Sequence, residues 1–265
     1  MLDKGYVSFS FDDGRGDNYE VYKSILKPKN IPATFNIAAG YIDGTCPKES
    51  TPSLFIPPMT IEQVKEIYAD GLVEIALHGN KHINTEEDIR SGEQKIRKWT
   101  GAKKDERFGF ASPGSRLNIK HYLASDNKYL KENLLYVRTH QRFLRNGKLK
   151  VLVRKICRIL HWPSLFSYVY KDTLMDSCED KVIYSVPVLK DTTLKEILGL
   201  LSCACRNRKA VVLMFHSVVD NIDGHDNFSW SVRDFRELCH IIQSWGNEYL
   251  GVVTTKDLLL ILAKR

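Results

Sequence analysis

Tyr6-Val-Ser-Phe-Ser-Phe-Asp12-Asp13-Gly14 ends an aromatic run in two adjacent carboxylates. From Tyr6 to Phe11 the residues alternate, the period of a pleated strand. On an extended strand Asp12 and Asp13 would point to opposite faces, and a turn at Gly14 would bring both into one pocket. Asp-Asp-Gly is also ordinary turn chemistry, so the pair gains weight only from a second stretch. Leu77-His78-Gly79-Asn80-Lys81-His82 carries two imidazoles at i and i+4. It too follows an apolar strand, Leu72–Leu77.

Working outward, strand and helix alternate along the chain, which predicts α/β architecture with a parallel sheet. Further strands are expected over Ala33–Ala38, Arg107–Ala111, Leu134–Arg138, Val182–Val188, Ala210–Phe215 and Tyr249–Thr254. Helices are expected over Tyr19–Leu26, from Thr60 to Asp70-Gly71, and over Glu86–Trp99, Ile119–Asn133, Thr193–Cys205, Val232–Trp245 and Lys256–Ala263. Thr60 with Gln63 three residues on forms a capping box. About eight strands result. Asp12-Asp13, His78/His82, Ser112-Pro113-Gly114 and His216 all fall at C-terminal strand ends, the face that carries the active site of a parallel barrel. Gly40–Pro58 interrupts the rhythm and reads as a loop over that site. Thr139–Lys181 interrupts it again.

The 265 residues suffice for one large α/β barrel, and 43% hydrophobic with 27% charged content describes a globular chain. No uninterrupted apolar run is long enough to span a membrane. The first strand starts near Tyr6, before a signal peptide would fit, which predicts a cytoplasmic protein. Six cysteines show no C-x-x-C spacing, as expected of reduced thiols. The net charge of +7 is uneven. Arg138 to Lys171 holds every excess cation and no Asp or Glu, and Val151–Leu160 sets apolar residues at helical spacing among Arg154, Lys155 and Arg158. This block suggests an anionic neighbour, either an anionic lipid surface or a phosphate-bearing glycan carrier. Nucleic acid is not expected, because the block lacks interleaved aromatic stacking platforms.

One carboxylate and two imidazoles make a facial metal site with open positions. Asp13, His78 and His82 are the candidate ligands, and Zn²⁺ the expected ion, with Co²⁺, Mn²⁺ or Ni²⁺ as substitutes. Asp12 beside them is the candidate base, an arrangement suited to metal-assisted hydrolysis of an amide or ester. His216, delivered by the buried strand Val211–Phe215, is the candidate general acid.

Together these residues resemble the polysaccharide deacetylase family, the NodB-homology domain of carbohydrate esterases. Ser10-Phe11-Asp12-Asp13-Gly14, His78 to His82, Phe110-Ala111-Ser112-Pro113-Gly114-Ser115 and Leu213-Met-Phe-His216 correspond to its motifs. The resemblance spans roughly residues 5–138 and 182–260. It implies a distorted (β/α) barrel of seven to eight strands, here a single domain over 1–265 with a basic insertion at about 139–181. It implies removal of N-acetyl or O-acetyl groups from a sugar in a glycan or lipid-linked saccharide. By the same resemblance Asp13, His78 and His82 hold the metal, Asp12 deprotonates water, a backbone N–H near Gly114, beside Ser112, holds the oxyanion, and His216 protonates the leaving amine.

Two positions depart from the pattern. Ala111 stands where the family carries an Arg that holds the catalytic Asp, and Gly114 where an aromatic is common. Arg138, at a strand end on the same face, is the expected replacement for the missing guanidinium. Two other readings stay open: the same barrel acting on a non-sugar amide, cyclic amides included, and a non-catalytic glycan-binding protein.

Overall fold

The computed structural model describes residues 1–46, 57–115, 128–140, 148–220, 222 and 227–264. In chain order the first half comprises β1 (Gly5–Phe11), α1 (Gly16–Val21), β2 (Ala33–Ile37), α2 (Ala39–Ile42), α3 (Ile61–Asp70), β3 (Val73–Leu77), α4 (Glu86–Thr100), β4 (Phe110–Ala111) and α5 (Lys128–Asn133). The second half comprises β5 (Val137–His140), α6 (Lys148–Leu160), α7 (Pro163–Val169), β6 (Val182–Pro187), α8 (Leu194–Asn207), β7 (Ala210–Phe215), β8 (Ser217–Val219), β9 (Ser229–Ser231), α9 (Val232–Ser244), β10 (Leu250–Val252) and α10 (Thr255–Ala263).

Strands β1 to β7 lie side by side in sequence order, all parallel, and β7 pairs back onto β1 to close a barrel. β10 is an eighth, parallel strand. It holds Gly5–Val7 of β1 on the edge where β2 joins only from Ser10. The sheet alternates its faces. Phe9 and Phe11 turn outward and pack edge-on against Phe235 of α9, at 5.5 and 5.6 Å between ring centroids. Such aromatic contacts add to the burial that holds helix on sheet.

The residues between them point into the barrel, and they are polar. Ser8 bonds Thr255 at 3.0 Å, Thr34 and Tyr136 donate to Glu74, and Asn36 donates to Ser10. α10 plugs the barrel's lower end. Its first backbone N–H groups find Thr34 Oγ1 and Glu74 Oε2, both at 2.8 Å. Those N–H groups have no partner within the helix, so two side chains of the barrel wall cap it.

Several boundaries differ from expectation. The strand expected over Arg107–Ala111 is only Phe110–Ala111, because β4 needs just one register pair with β3. Residues Tyr22–Leu26 continue α1 as a π-helical turn. The short parallel pair β8–β9 and the helices α2 and α7 were not expected. Of the helix expected over Ile119–Asn133, only Lys128–Asn133 lies among the described residues, and the loop expected over Gly40–Pro58 lies outside them at 47–56. The capping box at Thr60 forms in both directions, and Gly71 ends α3 at φ 75°. All six cysteines are free thiols. Among the described residues no helix is long and apolar enough to cross a membrane.

Candidate active site

β1 ends at Phe11, and the chain reverses through Asp13 (φ 78°) and Gly14 (φ 76°). That left-handed pair of residues turns both neighbouring carboxylates into one cleft, at the cost in backbone strain that a non-glycine at positive φ carries. The Asp12 N–H donates to Phe215 O at 2.9 Å, which ties the turn to β7. Arg138 Nη2 donates to both oxygens of Asp12 at 2.7 Å, and Asn36 Nδ2 donates to Oδ1 at 2.8 Å. Ser185 Oγ accepts from the other amine of Arg138 at 3.0 Å. The guanidinium thus stands where Ala111 leaves none.

Asp13 has its own arginine. Arg15 lies on Oδ2 through Nε at 3.0 Å and Nη2 at 2.9 Å, and its Nη1 reaches Ser217 Oγ at 2.7 Å. Oδ1 faces the histidines, 3.4 Å from His78 Nε2 and 3.5 Å from His82 Nε2. His78 leaves the end of β3, and its Nδ1 donates to Ala111 O at 2.8 Å. A carbonyl only accepts, so this bond fixes the tautomer and turns the Nε2 lone pair toward Asp13.

The loop that returns His82 is shaped by Asp88. Its carboxylate accepts from the backbone N–H groups of Asn80, Lys81 and Ile83 at 3.0, 2.8 and 3.1 Å. The loop also relies on Gly79 at φ 79° and on Gly92, where a Cβ would come within 2.7 Å of Gly79 O. His82 itself sits at φ 59°, and its ring is 4.7 Å from that of His78.

One ligand atom each from Asp13, His78 and His82 lies within 4.8 Å of the others. One carboxylate oxygen and two imidazole nitrogens on one side are a donor set that fits Zn²⁺ or a neighbouring divalent ion. The surroundings set each group's protonation. Burial raises Asp13, but the His78 ring 3.4 Å away and the charges of His216 and Arg15 outweigh it and hold the carboxyl well below its ordinary range. Burial also raises Asp12, and there Arg138, with His78 and His216, outweighs it. Burial and the neighbouring His78 push His82 down to about 4. Burial pushes His216 below its ordinary value as well. His78 is raised, since Asp12 and Asp13 outweigh its burial.

His216 sits across the cleft, with Nε2 4.0 Å from Asp12 Oδ2. Its carbonyl accepts from Asn18, and its Nδ1 is buried without a hydrogen-bond partner among the described residues. Ser112 is buried, with its N–H on Arg138 O and its hydroxyl on Asn84 Oδ1, both at 2.8 Å. These bonds hold the third motif rather than face the cleft. Gly114 is exposed in a tight turn at φ 56°. His121 and His225 lie outside the described residues, and His161 and His240 are exposed, away from the cleft.

Residues 2–129 match the family model described as polysaccharide deacetylase. Those residues, just under half of the chain, are similar to that family. Arg138 and His216 lie beyond the matched stretch, and the barrel brings them to the motifs within it. No curated protein matches the chain. Among solved structures, a Xyl-CE4 domain of a multidomain xylanase from the hindgut metagenome of Trinervitermes trinervoides aligns at 13% identity and TM-score 0.48, over 97% of this chain and 90% of that one. The catalytic domain of a peptidoglycan N-acetylglucosamine deacetylase from Eubacterium rectale aligns at 13% and 0.45, over 95% and 90%. The BpsB deacetylase domain from Bordetella bronchiseptica aligns at 20% and 0.39, over 50% of this chain and 62%, less than two thirds, of that one.

Proposed function

We propose that this chain is a metal-dependent hydrolase that removes the acetyl group from an N-acetylated sugar, in a glycan or a lipid-linked saccharide. One observation carries the reading. Asp13, His78 and His82 present three ligand atoms within 4.8 Å of one another, with the ionised Asp12 held at their side by Arg138. Those three residues would hold the ion, most fittingly Zn²⁺. A bound divalent cation supplies Lewis-acid polarisation of the acetamide carbonyl.

The chain's own groups supply the rest. Asp12 accepts a proton from the attacking water. Arg138 and Asn36 fix its oxygens and keep it ionised at neutral pH. A backbone N–H at the Gly114 turn faces the developing oxyanion. The proton taken by Asp12 passes to His216, whose Nε2 lies 4.0 Å from Asp12 Oδ2, and the imidazolium so formed gives it to the amine nitrogen as the C–N bond breaks. Water, amide and one proton relay thus end as acetate and a free amino sugar.

The test is acetate release from chito-oligosaccharides by protein of known metal content. Release should stop on chelation and return with Zn²⁺. Asp12→Asn should keep the metal and lose on the order of a hundredfold or more in turnover. Release that persists through chelation, or in Asp12→Asn, would overturn the reading.

A further inference from the structure

A second surface of α6 and α7 plays no part in the cleft. α6 rests on the barrel through Val153 and the buried Cys157, whose thiol meets Glu196. Beside that contact its apolar face continues into solvent. Leu149, Leu152, Ile156, Ile159 and Leu160 recur at i, i+3, i+7, i+10 and i+11, which places them in one stripe. All five are exposed, Leu149 at 70% and Ile159 at 76%, and Trp162, just past the helix end, is exposed at 58%. Single exposed apolar residues are normal, but a continuous row of five is not. Lys155, Arg158 and Lys171 are exposed around it, and Lys171 lies over the ring of exposed Tyr168 at 5.0 Å. No Asp or Glu occurs between Arg138 and Lys171.

We propose that this stripe docks on an anionic lipid surface, with α6 lying flat in the interface. The chemistry is that of an interfacial helix: leucine, isoleucine and tryptophan toward the acyl chains, lysine and arginine toward the headgroups. Charge selects lipid over a second copy of this chain, since a pairing of two such faces would bring two wholly basic blocks together. α6 also lies beside the barrel's active face. Arg158 bonds Asp191 at 3.1 Å, and Asp191 lies in the segment that leaves the C-terminal end of β6. Docking would set the cleft beside the bilayer, where a lipid-linked saccharide presents its sugar. That consequence rests on the deacetylase reading, whereas docking needs neither metal nor turnover.

Co-sedimentation with vesicles tests it. The protein should pellet with phosphatidylcholine vesicles containing about one third phosphatidylglycerol, and stay in solution with phosphatidylcholine alone. Leu152→Asp/Ile159→Asp, both at exposed positions, should bind about tenfold more weakly, and Trp162→Ala should bind more weakly as well. Acetate release from soluble chito-oligosaccharides should be unchanged in both variants. Wild type that ignores anionic vesicles, or variants that bind as well as wild type, would overturn the proposal. A wild-type dimer in sedimentation velocity that the double variant dissociates would overturn it in favour of a second copy. Vesicle binding without acetate release would leave docking standing and remove the deacetylase reading.

Discussion

Arginine decides how the two adjacent acids differ. Arg138 takes both oxygens of Asp12, while Arg15 takes one of Asp13 and leaves the other toward His78 and His82. Truncating a buried ion pair leaves an uncompensated charge. Arg138→Met should therefore lower stability to urea by about 3–5 kcal/mol and let burial drive the Asp12 carboxyl upward. Arg138→Lys, which keeps the charge without the fork, should lose less stability and still lose turnover. Equal kcat in wild type and Arg138→Met would remove Arg138 from the mechanism. At this scale the sequence was legible where chemistry is contiguous. Asp12-Asp13 and His78/His82 announce themselves because each pair sits in one short motif. Arg15, Asn36 and Asp88 did not, though Arg15 stands only two residues from Asp13. An arginine after a turn glycine reads as a solvated charge. Its contacts with Asp13 and with Ser217, far along the chain, hold it buried.

The element that sets ligand geometry is the loop from β3 into α4. Asp88 is the third residue of α4, and Thr85 caps that helix by accepting from the Asp88 N–H. Its carboxylate collects three N–H groups from this loop, two between the histidines and one just after His82. Asp88→Ala removes all three acceptor contacts, so His82 should lose its fixed position. Zinc affinity, measured by competition with a chromophoric chelator, should fall about 10–100-fold, with the helical circular dichroism retained. Affinity equal to wild type would show that the loop holds itself. Helix and strand identities were readable from periodicity because α3, α4, α8 and α9 each bury one face. Short strands were harder. β4 makes a single register pair on the β3 side, and β8–β9 are three residues each. No local period distinguishes such pieces from loop.

Across the whole barrel, buried polar groups run through the lumen from Glu74 at the bottom to Asp12 at the top, beside apolar residues such as Ile183 and Val212. Burial pushes Glu74 up from 4.5 to about 7, despite its bonds to the Lys256 N–H, Tyr136 and Thr34. The folded protein thus holds this proton more tightly than the unfolded chain. Its contribution is complete below pH 4.5 and is lost as pH rises through about 7, a loss of order 3 kcal/mol at most. Glu74→Gln should flatten the fall in melting temperature between these pH values, and an unchanged slope would locate the proton elsewhere. Closure of this barrel also imposes an order in time. β1 finds one neighbour only when β7 exists, and the Asp12 N–H waits for Phe215 O. A ribosome makes β1 and its two acids well before β7, and the pocket they belong to cannot assemble until the chain has emerged through Phe215. Until then the nascent acids stand apart from the strand that closes around them.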